Sequence, residues 1–323
     1  MDEARLVGPH RVEMADGTQI EADRIVLATG TESSTPPIEG IETGPYWTNR
    51  EAIWKPEAVP ASLAVIGTGA IGIEFAQIYA RFGADVTAIE VLPQILPNED
   101  EDAAASLVPA FEEEGIRLLP GVTIARAEYH GRRWRLDLSD GKPVEARELL
   151  VAAGRRPSFD AHDLGAAGVE LDGQDRPVLT ETLRTTADHI WAAGDATGEL
   201  LFTHVGTYEA GLVVDERSLS SNRTFAVRTS CPASRACRSV SPTLATSGVI
   251  EGRTHGLVKL VADAQTGELL GGHIVGEQAD AMIHEVVAVM AGRISAPVVG
   301  EAIHAYPTLS EAVKGAFAKL GSV

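Results

Sequence analysis

The sequence predicts an α/β fold built on parallel sheets, with an incomplete first domain and a smaller α+β domain at the end. Three observations predict it. A strand, a glycine turn, a helix and a second strand follow one another from Leu63 to Glu90. A 21-residue segment at 10–30 recurs at 134–154. A hairpin pattern at 257–276 is followed by two helical patterns.

Leu63-Ala-Val-Ile66 is short and wholly apolar, as a strand buried on both faces must be. Gly67-Thr-Gly-Ala-Ile-Gly72 follows it. Ile71, Phe75, Ile78 and Phe82 then recur at helical spacing, and Gly83 stands where a helix stops. Asp85–Glu90 reads as the next strand, ending in an acid. A second helix is expected over 100–114, with Glu99, Asp100, Glu101 and Asp102 suiting its positive end and Pro109 expected to kink or break it. Residues 123–154 read as short strands with a tight turn at Ser139–Lys142. Thr186–Asp195 reads as an apolar strand ending in Gly194-Asp195. Helical patterns at about 279–291 and 309–320 complete the chain.

The two recurring segments align without gaps at an offset of 124 (134 − 10), with seven identical positions: Arg11/Arg135, Asp16/Asp140, Gly17/Gly141, Glu21/Glu145, Ala22/Ala146, Ala28/Ala152 and Gly30/Gly154. Each reads as a hairpin, a buried strand and an exit loop of small residues. The second is preceded by the glycine-turn unit. The counterpart of Gly67 for the first would fall at 67 − 124 = −57. The front of the first domain is therefore expected to be missing from this chain.

Composition narrows the function. A net charge of −19 opposes binding to phosphate backbones, so nucleic acid is not an expected partner. No apolar run reaches the ~20 residues of a membrane span. Two cysteines in 323 residues form no disulfide framework, and a reducing, cytoplasmic setting is expected. No metal site is assigned. From Arg217 to Val249 there is no acid, while five arginines and both cysteines, Cys231 and Cys237, fall there. An exposed basic loop and an altered reading frame are both open readings of that segment.

Gly67, Gly69 and Gly72 form G-x-G-x-x-G between a strand and a helix, and Glu90 closes the next strand 18 residues after Gly72. That context points to a dinucleotide. Gly67 permits the turn, Gly69 lets backbone approach a pyrophosphate and Gly72 lets helix pack on strand. Glu90 is placed to accept ribose hydroxyls. A carboxylate repels a 2′-phosphate, so NAD(H) is expected over NADP(H). A glycine turn without a ligand is the bland alternative.

Across nearly its whole length the chain resembles the pyridine nucleotide-disulfide oxidoreductase family, which includes lipoamide dehydrogenase and mercuric reductase. The residues that carry the resemblance are Ala28-Thr29-Gly30 with Pro36–Gly40, Gly67–Glu74, Val151–Pro157, Ala192–Gly198, Gly267–Gly276 and His304–Ala312. The resemblance implies Rossmann-like FAD- and NAD(P)-binding domains and an interface domain through which two copies form a homodimer. It implies a partial FAD domain over 1–45 and 155–215, an NAD domain over 46–154 and an interface domain over 216–323. It implies hydride transfer from a nicotinamide to FAD, after which the reduced flavin passes electrons to a Cys-x-x-x-x-Cys disulfide. It puts Asp195 on the flavin ribityl chain and Ala28, Thr29 and Gly30 beside the FAD. Glu74 would lie near the flavin and nicotinamide rings, and Gly154 at the exit of the NAD domain. Gly194 belongs to the same Gly-Asp motif as Asp195. Glu74 also reads as an ordinary helix acid, and Asp195 as a helix N-cap.

The chain departs from that pattern. It lacks the FAD glycine loop and the redox cysteine pair, and Cys231 and Cys237 have the wrong spacing to replace it. Tyr306 stands where many members carry a histidine paired with a glutamate five residues on, here Glu311. Tyr306 and Glu311 are the candidate catalytic positions there. Thr308-Leu-Ser-Glu311 also reads as a capping box, the role favoured for Glu311. The expected function is that of an FAD-dependent oxidoreductase without its redox cysteines, with an upstream polypeptide as a conceivable source of the FAD half. A non-catalytic NAD(H)-binding, dimerising module and a non-functional gene remnant are the alternatives.

Overall fold

The computed structural model describes residues 4–216, 256–263, 266–305 and 308–321. The acid-free segment, Cys231, Cys237 and Tyr306 lie outside the described residues. The chain divides into two compact units, one holding 4–35 and 154–216, the other 36–153 and the described residues from 256 on.

The first unit begins with an antiparallel meander of β1 (Ala4–Gly8), β2 (Arg11–Met14) and β3 (Gln19–Glu21). β4 (Ile25–Leu27) follows and pairs in parallel with β14 (Ile190–Ala192). β5 (Thr31–Ser33) pairs antiparallel with β13 (Arg155–Pro157). One long helix, α4 (Thr203–Glu216), completes the unit. Leu6, Leu27, Phe159, Leu164, Ile190 and Ala192 are among the residues of its core.

The second unit is built on a four-stranded parallel sheet in the order β12-β6-β7-β8. Its strands are β6 (Ser62–Ile66), β7 (Asp85–Ile89), β8 (Arg117–Leu119) and β12 (Glu148–Val151). Leu63, Ala64 and Val65 are all buried, as a strand covered on both faces requires. The helices α1 (Asn49–Trp54), α2 (Ala70–Arg81) and α3 (Glu101–Glu113) belong to this region. A separate antiparallel sheet holds β9 (Ile124–His130), β10 (Arg133–Leu138) and β11 (Val144–Ala146). Beyond the acid-free segment, the hairpin β15 (Leu257–Ala262) and β16 (Leu269–Val275) packs with α5 (Ala279–Ala291), α6 (Ala296–Glu301) and α7 (Ser310–Gly321) around Leu260, Val286, Val313 and Phe317. The mixed α/β class, with its Rossmann-like parallel sheet, is the one expected. No helix of the described residues is long and apolar enough to cross a membrane.

The internal repeat is structural. Arg11 pairs with Glu21 across β2 and β3, and their counterparts Arg135 and Glu145 pair identically across β10 and β11. The segments that leave the two copies, β5 and β13, lie at the same offset and pair with each other, with Pro157 opposite Thr31. The copies differ at the buried strand. Leu150 in β12 is 0% exposed beside β6, whereas its counterpart Val26 in β4 is 50% exposed.

One expectation changes, and one face that the spacing left open is settled. Pro109 lies inside α3, which runs through it. Ala104, Leu107 and Val108 before it and Phe111 after it pack into one core, which keeps the helix unbroken across the lost backbone bond. In α2 the deeply buried stripe is Gly72, Ile73, Ala76 and Tyr79, while Ile78 and Phe82 are exposed. At Gly72 the start of the helix lies so close to the turn after β6 that no side chain fits, and Ile73, Ala76 and Tyr79 carry the buried stripe onward.

α3 is tied to the hairpin by charge. Asp100 caps the helix by accepting the N–H groups of Asp102 and Ala103 through Oδ1. Lys259 Nζ on β15 donates to both Asp100 oxygens at 2.8 Å and to Asp102 Oδ2 at 2.7 Å. Burial alone would raise the Asp100 carboxyl, but the Lys259 hydrogen bond and charge outweigh it and hold it below its ordinary 3.8. Burial would lower Lys259, and the two aspartates hold it above its ordinary 10.5. A lowered carboxyl contributes stability above its unfolded value and loses it as pH falls through the folded one. A raised lysine contributes below its unfolded value and loses it as pH rises through the folded one. The destabilisation caused by Lys259→Met is therefore expected to be greatest near neutrality and to shrink towards both extremes. Urea unfolding across pH measures it, and a pH-independent difference would contradict the ion-pair account.

Candidate functional site

The glycine turn sits at the C-terminal edge of the parallel sheet, between β6 and α2. Gly67 has φ 90°, and a Cβ there would lie 2.5 Å from the Ala152 carbonyl oxygen. A Cβ on Gly72 would lie 1.9 Å from the Gly67 carbonyl oxygen. Both positions exclude a side chain for steric reasons. Gly69 differs, because a Cβ there meets nothing within 4 Å. It is the N-cap of α2 and caps with no side chain. The first N–H groups of α2 therefore have no side-chain cap, beside open space, as an anion site at a helix start requires. The turn fits a dinucleotide pyrophosphate.

Glu90 follows β7 directly and is 6% exposed. Its Oε2 accepts the Thr68 N–H at 2.8 Å and the Thr68 hydroxyl at 3.0 Å, and its Oε1 accepts the Leu92 N–H at 3.1 Å. The structure thus brings together Gly67, Gly69, Gly72 and Glu90. Glu74 is exposed on α2.

In the first unit, Ala28, Thr29 and Gly30 form the loop after β4, with Ala28 and Thr29 exposed. Asp195 lies in a short 3-10 turn, Gly194–Thr197, whose cap is Ala193 with no side-chain bond. The Asp195 carboxylate is not a helix cap. Its Oδ2 accepts the Thr31 hydroxyl at 3.1 Å and lies 3.7 Å from Arg155 Nη2. Arg155 Nε donates in turn to Thr31 Oγ1 at 2.7 Å. The Gly194 N–H donates to Glu209 Oε2 at 2.7 Å. Burial raises the Glu209 carboxyl, the Gly194 N–H opposes this, and Glu199 and Asp195 raise it further. A carboxylate oriented by a threonine and an arginine at a strand exit suits a polyol hydroxyl, such as a ribityl chain. The Gly154 carbonyl accepts the Ser34 N–H at 2.9 Å, at the junction of the paired exits.

Glu311 opens α7 and accepts the Thr308 N–H through Oε2 at 3.4 Å. The Thr308 hydroxyl turns back to the Ala305 carbonyl at 2.8 Å, so only half of a capping box forms. His304 Nε2 lies 2.7 Å from Glu285 Oε1 on α5. Sequence reasoning did not find Thr68, Thr31, Glu209 or Glu285. Thr68 was visible only as a variable position within the glycine motif. Thr31 lies 164 positions from Asp195, Glu285 19 positions from His304 and Glu209 15 positions from Gly194.

Residues 1–210 match the model of the pyridine nucleotide-disulphide oxidoreductases, and residues 237–317 match the dimerisation domain of the same proteins. A mercuric reductase of Bacillus cereus is 30% identical over 341 residues, covering 97% of this chain and 53% of the relative. A dihydrolipoyl dehydrogenase of Thermus scotoductus is 32% identical over 335 residues, covering 95% of this chain and 72% of that one. The chain thus spans about half the length of the Bacillus cereus relative it matches. The solved structure of the HOCl-induced flavoprotein disulfide reductase RclA from Escherichia coli superposes with a TM-score of 0.87 at 25% identity, over 98% of this chain and 78% of that one. With the parallel sheet, the glycine turn and the strand-exit aspartate in place, the chain belongs to the pyridine nucleotide-disulphide oxidoreductase family.

Proposed function

We propose that the protein is a flavin-dependent oxidoreductase that uses NAD(H), with FAD as its second cofactor. The observation that carries this reading is the Gly67–Gly72 turn, whose open face at Gly69 and unshared helix start meet Glu90 at the end of the next strand. Gly69 admits the pyrophosphate, the α2 N–H groups bind it, and Glu90 accepts a ribose hydroxyl. The Glu90 carboxylate, with Val91 after it, favours NAD(H) over NADP(H). FAD, when bound, supplies the ring that exchanges hydride with the nicotinamide. Asp195 would hold its ribityl chain, oriented by Thr31 and Arg155, with Ala28, Thr29 and Gly30 as the adjoining loop. Glu74, Tyr306 and Glu311 are the candidate catalytic positions. The division into an FAD domain over 1–45 and 155–215, an NAD domain over 46–154 and an interface domain over 216–323 belongs to the same reading. So does a homodimer formed through the last of these, which the match to a dimerisation domain supports.

The test is a visible spectrum of the purified protein, followed by anaerobic titration with NADH. A bound flavin that NADH bleaches, more readily than NADPH does, is the expected result. A colourless protein that takes up no added FAD, even if it binds NADH, overturns the oxidoreductase reading.

A further inference from the structure

Thr68 occupies the first variable position of the glycine turn and is fully buried. Its N–H and its hydroxyl both reach the same oxygen of Glu90, Oε2. Its carbonyl accepts the Leu96 N–H at 2.9 Å, so the loop after β7 is fastened to the turn on both sides of Thr68. A carboxylate has about four acceptor directions on its two oxygens. Two on Oε2 are taken by Thr68 and one on Oε1 by Leu92. The remaining direction belongs to Oε1.

We propose that Thr68 is a specificity-determining residue. Its hydroxyl pins Oε2, so that Glu90 presents Oε1 alone to one adenosine ribose hydroxyl and does not turn aside for a 2′-phosphate. The inference rests on the dinucleotide reading above. Without the hydroxyl, Glu90 would keep one backbone donor on each oxygen, the Thr68 N–H on Oε2 and the Leu92 N–H on Oε1. The hydroxyl of the buried Thr68 adds a second donor to Oε2, fills its remaining acceptor direction and so fixes the tilt of the carboxylate. Thr68 therefore acts through Glu90 as a positioning residue. If its hydroxyl served packing only, its loss would weaken the fold without changing the choice between the two dinucleotides.

Dissociation constants for NADH and NADPH, from fluorescence titration of the full chain without turnover, separate these cases. Thr68→Val keeps the shape and removes the hydroxyl, Thr68→Ala repeats the removal with a smaller side chain, and Thr68→Ser restores the donor. The wild type is expected to prefer NADH. Thr68→Val and Thr68→Ala are each expected to lose about tenfold of that preference, the loss of one charge-assisted hydrogen bond, and Thr68→Ser to recover it. An unchanged NADH-to-NADPH ratio in whichever of the two hydroxyl-free variants folds overturns the role of Thr68 while leaving the dinucleotide reading intact. A folded wild type that binds neither dinucleotide overturns both.

Discussion

Gly72→Ala is expected to abolish dinucleotide binding, with a loss of at least a hundredfold in NADH affinity by fluorescence titration. The added Cβ would lie 1.9 Å from the Gly67 carbonyl oxygen and 3.5 Å from the Ala152 side chain. The first contact is with backbone, so no side-chain rotation relieves it. Either the first turn of α2 retreats from β6, or the Gly67 peptide turns over. Both misdirect the N–H groups that an anion would use. Overpacking of this kind costs on the order of 1–3 kcal/mol, so a lower melting temperature is expected as well. Gly69→Ala separates binding from folding. Gly69 has φ −64° and ψ −179°, values that alanine adopts freely, and its Cβ meets no protein atom within 4 Å. This variant is expected to melt like the wild type and yet bind NADH at least tenfold more weakly, because the methyl group occupies the space where the pyrophosphate would approach. Wild-type affinity in Gly69→Ala would show that no ligand approaches that backbone.

Phe317→Ala is expected to have the largest effect on stability. Phe317 is 0% exposed, in a core with Leu260, Val286 and Val313. Truncating a buried phenylalanine costs about 3–5 kcal/mol, the lost burial plus the cavity left behind. Net stabilities run to only about 5–15 kcal/mol. The core here joins α5 and α7 to the β15–β16 hairpin, and α6 packs so close to α7 that a Cβ on Gly300 would lie 2.8 Å from the Ala318 backbone. Little room exists for collapse into the cavity. Urea unfolding is expected to show the loss directly. Sedimentation is expected to show weaker subunit association, since the proposed interface lies on this domain. A change below about 1 kcal/mol would mean that this core does not hold the domain together.

Much of the fold was legible because its signals are local. β6 is apolar throughout, the glycine turn has a fixed spacing, and Glu90 closes the next strand, so the unit from Leu63 to Glu90 could be read residue by residue. The repeat was legible for a different reason. Two copies in one chain serve as each other's control, and the Arg11–Glu21 and Arg135–Glu145 pairs confirm the register that the alignment implied. The helix α6 was not legible, because six residues are too few for a period to show. The spacing of apolar residues marked α2 as a helix but not the face it buries, which is Gly72, Ile73, Ala76 and Tyr79.

The candidate sites divide in the same way. The sequence alone determined the α/β class and the dinucleotide motif with its closing acid, since each depends on residue type and spacing along the chain, and its resemblance to the family pointed to Asp195. Only the tertiary structure decided what those residues touch. Asp195 could have capped a helix, but it faces Thr31 and Arg155, and Arg155 reaches it from the exit of the other repeat copy. Glu90 could have stood free, but Thr68 holds one of its oxygens twice. Both outcomes rest on hydrogen bonds between residues 22 to 164 positions apart. The direction of a side chain at such a distance depends on how the strands come together, and no local pattern records that.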